Sequence, residues 1–183
     1  MYEEYLMHYG RLGMKWGQHI FGKDHEKKTV FVSGSSKTQD KKSPYYRRKL
    51  PKEIRSKIKS YKKRRYKIVV GDAPGIDRQV QKYLKRYPNV EVYGPGKKVR
   101  FLANKKWKTN PIDAPEFEEG SKEWLAKKDI VMTKVADIGL AVILDEGAKA
   151  TRKNVERLIG QNKSVDVYEL NKDGKKKDRW IDN

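Results

Sequence analysis

Two glycines and two aspartates stand close together in Gly71-Asp72-Ala73-Pro74-Gly75-Ile76-Asp77, directly after the β-branched run Ile68-Val69-Val70. Residue types at this spacing suit anion binding. Glycines tolerate positive φ and let a ligand approach the backbone. A helix that starts at such a turn aims unpaired N–H groups and a partial positive charge at a phosphate. Asp77, in the first turn of that helix, can accept from a ribose hydroxyl, and Asp72 adds a second carboxylate at the mouth. The same residues also suit a simpler purpose, a tight strand-to-helix connection with capping aspartates, and the turn alone leaves both uses open. Two further turns have related composition. Ser33-Gly34-Ser35-Ser36-Lys37 follows the strand-like Thr29-Val30-Phe31-Val32 and offers hydroxyls and a cation to phosphate or ribose oxygens. Asp145-Glu146-Gly147-Ala148-Lys149-Ala150-Thr151 follows Ile138-Gly139-Leu140-Ala141-Val142-Ile143-Leu144, the most strand-like run in the chain.

The elements that would position these turns alternate. After Gly75 a helix carries Ile76, Val80 and Leu84 on one apolar stripe. Leu50-Pro51 opens another helix, to about residue 63, with Ile54, Ile58 and Tyr61 inward and its lysines outward. Val90-Glu91-Val92-Tyr93 is a short strand ending at Gly94-Pro95-Gly96, and Val165-Asp166-Val167-Tyr168 is the last strand. Residues 119–135 and 151–159 read as helices, the second stopped by Gly160. Residues 97–118, with Trp107, Pro111 and Pro115, have weak periodicity and read as an insertion crossing the mouth of the site. Strands alternating with helices predict an α/β fold, a parallel sheet with helices on both faces. Right-handed crossovers bring the strand ends to one edge, so the three turns should converge there. The domain is expected over 28–170, between an N-terminal arm (1–27) and a charged C-terminal tail (171–183).

Composition sets the remaining limits. The chain has 183 residues and no Cys, which excludes a disulfide framework, a thiolate zinc site and a cysteine nucleophile. His8, His19 and His25 all lie in the arm, and no metal cluster or cofactor is predicted. No apolar run reaches membrane-spanning length and the first residues lack signal-peptide order, so a soluble protein of the cytoplasm is expected. The formal net charge is +20, concentrated in residues 41–67 and 172–179, which predicts attraction to polyanions at low salt. Tyr45 and Tyr46 beside Arg47 and Arg48 can stack bases or pack against the fold. Neither a dinucleotide fingerprint, nor a Walker A motif, nor GxSxG is present.

Together, VFVSGSSK, VVGDAPGIDRQVQKYL and ADIGLAVILDEGAKATRKNVERLIGQNKSVDVYEL resemble the SLOG superfamily over about residues 29–170. This Rossmann-like group includes LOG-type phosphoribohydrolases, the DprA-like fold and YpsA-type proteins, and nucleoside 2-deoxyribosyltransferases look similar in layout. The resemblance implies a nucleotide or nucleotide-derived ligand and implies binding positions Gly34, Ser35, Gly71, Asp72, Gly75, Asp77, Gly147 and Thr151, beside Ser33 and Lys37 of the first turn. One departure matters. The catalytic glutamate of the LOG and deoxyribosyltransferase pattern falls at position 154, which is Asn154 here, and an amide cannot act as a carboxylate nucleophile. N-glycosidic chemistry would then need Asp72, Asp77, Asp145 or Glu146. Within the arm, residues 10–17, with His8 two residues ahead, resemble a short LGMKWG-type tag near the ends of tailed-phage structural and virion-associated proteins.

Three functions stay open from the sequence. The first is capture of a nucleotide-derived ligand by a phage-encoded protein, including sequestration of a host defence signal. The second is cleavage or transfer of an N-glycosidic bond. The third is DprA-like nucleic-acid binding. A homo-oligomer without membrane partners is expected, with virion association through the arm as a further option.

Overall fold

The computed structural model describes residues 7–9, 27–36, 49–145 and 147–170. The LGMKWG string, Lys37, Tyr45 to Arg48, Glu146 and the tail 171–183 lie outside the described residues. In chain order the elements are β1 (Met7–Tyr9), β2 (Thr29–Gly34), α1 (Lys52–Lys63), β3 (Lys67–Gly71), α2 (Ile76–Leu84), β4 (Val90–Pro95), β5 (Lys108–Ile112), α3 (Lys122–Val135), β6 (Ile138–Ile143), α4 (Lys149–Gly160) and β7 (Ser164–Glu169). They form one sheet in the order β1-β7-β6-β2-β3-β4-β5. β2 to β7 are all parallel to their neighbours, and β1 adds an antiparallel edge against β7.

The strands are apolar on both sides because both faces are covered. Successive residues alternate between two cores, as the period of two requires. Val30, Val32, Ile68, Val70, Leu140 and Val142 face Ile54, Ile58 and Tyr61 of α1 and Ile76, Val80 and Leu84 of α2. Phe31, Val69, Ala141, Ile143, Val165 and Val167 pack into the second core with Met132 of α3 and Leu158 of α4. The helix ends follow local chemistry. Pro51 precedes α1, which has Glu53 in its first turn and Lys62 and Lys63 in its last, the signs that suit the helix dipole. The Ser121 side chain caps α3 by accepting from the Trp124 N–H.

Two segments differ from the sequence expectation. Residues 108–112 form β5, a parallel edge strand, within the segment expected to be a weakly periodic insertion. Its exposed, polar residues give no core-facing period, and Pro111 is tolerated at a sheet edge. The connection before it passes the carboxyl end of β3, where Arg100 binds Asp72. It descends beside α2, where Gln81 donates to the Phe101 carbonyl and accepts from Ala103, and Trp107 donates to the Tyr87 carbonyl. The arm also contributes to the sheet, since Met7 pairs with Val167 and Tyr9 with Val165. Deleting residues 1–27 is expected to leave a cooperatively unfolding domain, because both cores are built from later residues. The uncovered β7 edge should drive self-association, read as a larger species in size-exclusion chromatography. A deletion variant that loses its cooperative transition would place the arm in the core.

Candidate functional site

β2 leads into β3, β4 and β5 on one side of the sheet, and β6 and β7 lie on the other, so the strand order reverses between β2 and β6. The carboxyl ends beside such a reversal are where open α/β sheets take ligands. The first two of these turns meet here and bind each other, and the first also binds the end of β6. Gly75 has φ +89, and a side chain there would collide with the Ser35 carbonyl and lie 2.5 Å from the Ser36 carbonyl oxygen. The Ile76 N–H donates to the Ser35 carbonyl at 3.0 Å. The bare Cα of Gly34 packs on the Ile76 side chain. On the other side the Ser35 hydroxyl accepts from the Leu144 N–H at 2.9 Å, and the Ser35 N–H donates to the Val142 carbonyl at 3.0 Å. The Ile76 N–H at the start of α2 is therefore engaged with the Ser35 turn, which also fills the space over Gly75.

A buried polar network lies beneath. Lys128 of α3, 5% exposed, pairs with Asp129 at 2.5 Å. Its ammonium and the Asp77 carboxylate both crowd the bare Cα of Gly71, where a side chain would collide with Asp77 and sit 2.9 Å from Lys128 Nζ. Asp77 also accepts from the Ala73 N–H at 3.3 Å. Asn154 of α4 donates to the Ser33 hydroxyl at 2.9 Å and to the second oxygen of Asp129 at 3.1 Å, and it accepts from Arg157 at 2.6 Å. Burial pushes the Asp77 carboxyl up to about 7; Lys128 opposes the shift and the negative charge of Asp129 adds to it. Burial alone would lower the Lys128 ammonium, but Asp129 and Asp77 hold it above its ordinary value.

Asp72 is fully buried, and Arg100 grips it with Nε at 3.0 Å and a terminal nitrogen at 2.5 Å, while the Arg100 N–H adds a third bond at 2.8 Å. Such a bidentate pair fixes the start of the loop after β4. Next to it the Arg78 guanidinium lies over the Phe101 ring, 5.1 Å from its centroid, and Arg78 Nε is buried with no hydrogen-bond partner among the described residues. Lys97 and Lys98 are exposed on the same loop. At the strand reversal the Asp145 carboxylate is buried, 3% exposed, with neither oxygen hydrogen-bonded among the described residues. Gly147 beside it is exposed and Thr151 is buried in the first turn of α4. Of the positions named from the sequence, Ser33, Asp77 and Asn154 share one network with Gly71 against it, Ser35 joins Gly34 and Gly75, and Asp72 stands apart with Arg100. Arg78, Phe101, Arg100, Lys128, Asp129 and Arg157 were not anticipated. Lys128 had a signal, since it sits four residues from both Trp124 and Met132 on the buried face of α3. Among the described residues no group of His, Asp or Glu could hold a metal ion, and no helix is long and apolar enough to cross a membrane.

No protein-family model matches the chain, and no curated protein does. The fold is similar to that of DNA processing protein A from Helicobacter pylori. That structure, described for its unique single-stranded-DNA binding mode, matches with a TM-score of 0.52 and 14% sequence identity, over 81% of this chain and 68% of that one. At this identity the likeness speaks for the Rossmann-like architecture, and the neighbour falls within the group whose motifs the sequence resembles.

Two substitutions probe the network and the free carboxylate. Asp77 is protonated in the folded protein up to about pH 7 and ionised in the unfolded chain above about pH 4, so this group makes stability fall as pH rises through that window. Asp77→Asn should remove that component, seen as a smaller difference between urea midpoints at pH 5 and pH 8. Asp145→Asn removes a buried charge without a donor and should raise the melting midpoint by roughly 2–4 °C, the shift of about 1 kcal/mol in a domain of this size. A lowered midpoint would mean that Asp145 has a structural partner.

Proposed function

We propose that this protein binds single-stranded nucleic acid with little sequence preference, at the carboxyl edge of its sheet. The observation that carries the reading is the Arg78–Phe101 pair: a partly exposed guanidinium on the face of a partly exposed aromatic ring. The exposed part of the guanidinium can meet a phosphate or base edge, and unpaired bases stack on rings and guanidinium planes regardless of their identity. Lys97 and Lys98 flank the pair, and Arg100 keeps 39% of its side chain exposed while it holds Asp72. The net charge of +20 favours a polyanion, and the structural neighbour is a protein described as binding single-stranded DNA.

A second reading, capture of a small nucleotide-derived ligand, is favoured by Asp145. Its carboxylate, buried at the strand reversal without a hydrogen-bond donor among the described residues, suits a ligand with adjacent hydroxyl or amino donors. N-glycosidic chemistry has less support. Asp72 and Asp77 are held by internal partners, and Asn154 serves as a donor within the network.

Fluorescence anisotropy with a labelled 20-nucleotide oligo-dT tests the first reading. Affinity should fall steeply as salt rises, and Phe101→Ala should weaken binding by roughly 5- to 150-fold, the loss of about 1–3 kcal/mol of stacking. Absence of binding at low salt, or a Phe101→Ala variant equal to the parent, would reject this site. Calorimetry with ribonucleoside monophosphates tests the second, and Asp145→Asn should abolish any heat.

A further inference from the structure

We infer that the outward row of α1 is a second contact surface for the strand's phosphate backbone, continuing away from the Arg78–Phe101 platform. This rests on the nucleic-acid reading and adds where and how far the strand runs. α1 has six basic residues and one acid, Glu53. Lys52, Arg55, Lys59 and Lys63 are all exposed, and their spacings of three, four and four residues place them on one stripe opposite the buried Ile54, Ile58 and Tyr61. At 1.5 Å per residue the row presents a cation about every 5–6 Å along roughly 16 Å, and Glu53 lies off it. None of the four has an ion-pair partner among the described residues, whereas Lys57, on the side of the helix, pairs inward with Asp166 at 2.7 Å.

The surroundings point to an extended polyanion. α1 runs from the carboxyl end of β2 to the start of β3, so the row begins near the carboxyl edge and leads toward the opposite one. Beside it α2 presents Tyr83, 36% exposed, whose hydroxyl donates to the Arg55 carbonyl at 3.3 Å and whose ring has Lys62 Nζ at 5.8 Å. An aromatic ring beside a line of cations is the arrangement that follows a single strand. A membrane surface fits less well, because the apolar face of α1 is already buried against the sheet and cannot insert.

The test compares oligo-dT of 6 and 20 nucleotides across a salt series. The platform alone serves the short strand, and the row engages only the long one. In the variant Lys52→Gln, Arg55→Gln, Lys59→Gln and Lys63→Gln, the salt slope for the long strand should become shallower by roughly 3, four contacts at about 0.7 each. Affinity for the short strand should stay within twofold. The paired variants Lys52→Gln with Arg55→Gln, and Lys59→Gln with Lys63→Gln, should each give about half the change. This guards against a folding defect, as does an unchanged melting curve. A long-strand slope equal to the parent's overturns the inference while the platform reading stands, provided Phe101→Ala weakens both lengths. A parent that binds neither length overturns both. Vesicle binding by the parent at 30% phosphatidylserine, lost in the fourfold variant and stronger than its oligo-dT binding, assigns the row to a membrane and overturns the inference.

Discussion

A buried ammonium group organises the carboxyl edge of this sheet. Taking an ion such as that of Lys128 out of water costs several kcal/mol unless charged and hydrogen-bonding partners surround it. Here Asp129 supplies the charge, Asp77 lies beside it, and the Gly71 Cα leaves them room to meet. The consequences spread through the elements. Asp77 is drawn into the interior at the start of α2. The second oxygen of Asp129 binds Asn154, which ties α3 to α4 and, through the Ser33 hydroxyl, to the end of β2. Asparagine at position 154 follows from this arrangement. Its amide nitrogen gives two hydrogen bonds, to Ser33 and Asp129, and its oxygen takes one from Arg157. A glutamate there could donate neither of the first two when ionised and would add negative charge beside Asp129.

Polar groups at the edge thus fall into two kinds. Those of Ser33, Ser35, Asp72, Asp77, Lys128, Asp129 and Asn154 have partners within the chain. A ligand would have to break those bonds to use them, and each broken buried bond leaves a desolvated group behind. The Arg78 Nε and the Asp145 carboxylate have no hydrogen-bond partner among the described residues. They also sit apart, Arg78 with Phe101 beside the loop after β4, and Asp145 at the reversal between β2 and β6. Their opposite charges select different ligand groups, an acceptor at the first and a donor at the second.

Fold class was legible in the sequence because both sheet faces are covered. Buried parallel strands such as 138–143 read as apolar runs, and α1 and α2 carry single stripes. β5 was not legible, since an exposed edge strand containing Pro111 lacks the signal that burial imposes. β1 was not either, since its three residues gain their order from pairing with β7 rather than from a pattern of their own. At the site, the turns were legible as glycine- and serine-containing strand ends, but not what they would face. Gly71 and Gly75 read equally well as ligand cradles or as places where the chain approaches itself. The answer depends on Ser35 and Lys128, which are distant in sequence, and on Asp77 turning inward. Lys128 is the instructive case: a lysine on a buried helical stripe looks like a solvated side chain until Asp77 is brought against it from another element and its neighbour Asp129 pairs with it.

That self-contact bears on the type of ligand. Many α/β domains hold a phosphate with backbone N–H groups at a helix start, a concave arrangement suited to one compact nucleotide. In this chain the Gly75 turn is filled by the Ser35 and Ser36 backbone, and the Ile76 N–H is bound. What remains outward is side chain: Arg78 on Phe101, Lys97 and Lys98, and the lysines and arginine along α1. Side-chain cations on an open surface contact phosphates without enclosing them, and their contribution grows with the number of phosphates in reach. The arrangement therefore suits a long strand better than a mononucleotide. Fold likeness alone could not decide this, because one architecture hosts both kinds of binding. The distinction comes from which groups at the edge are already bound and which are free.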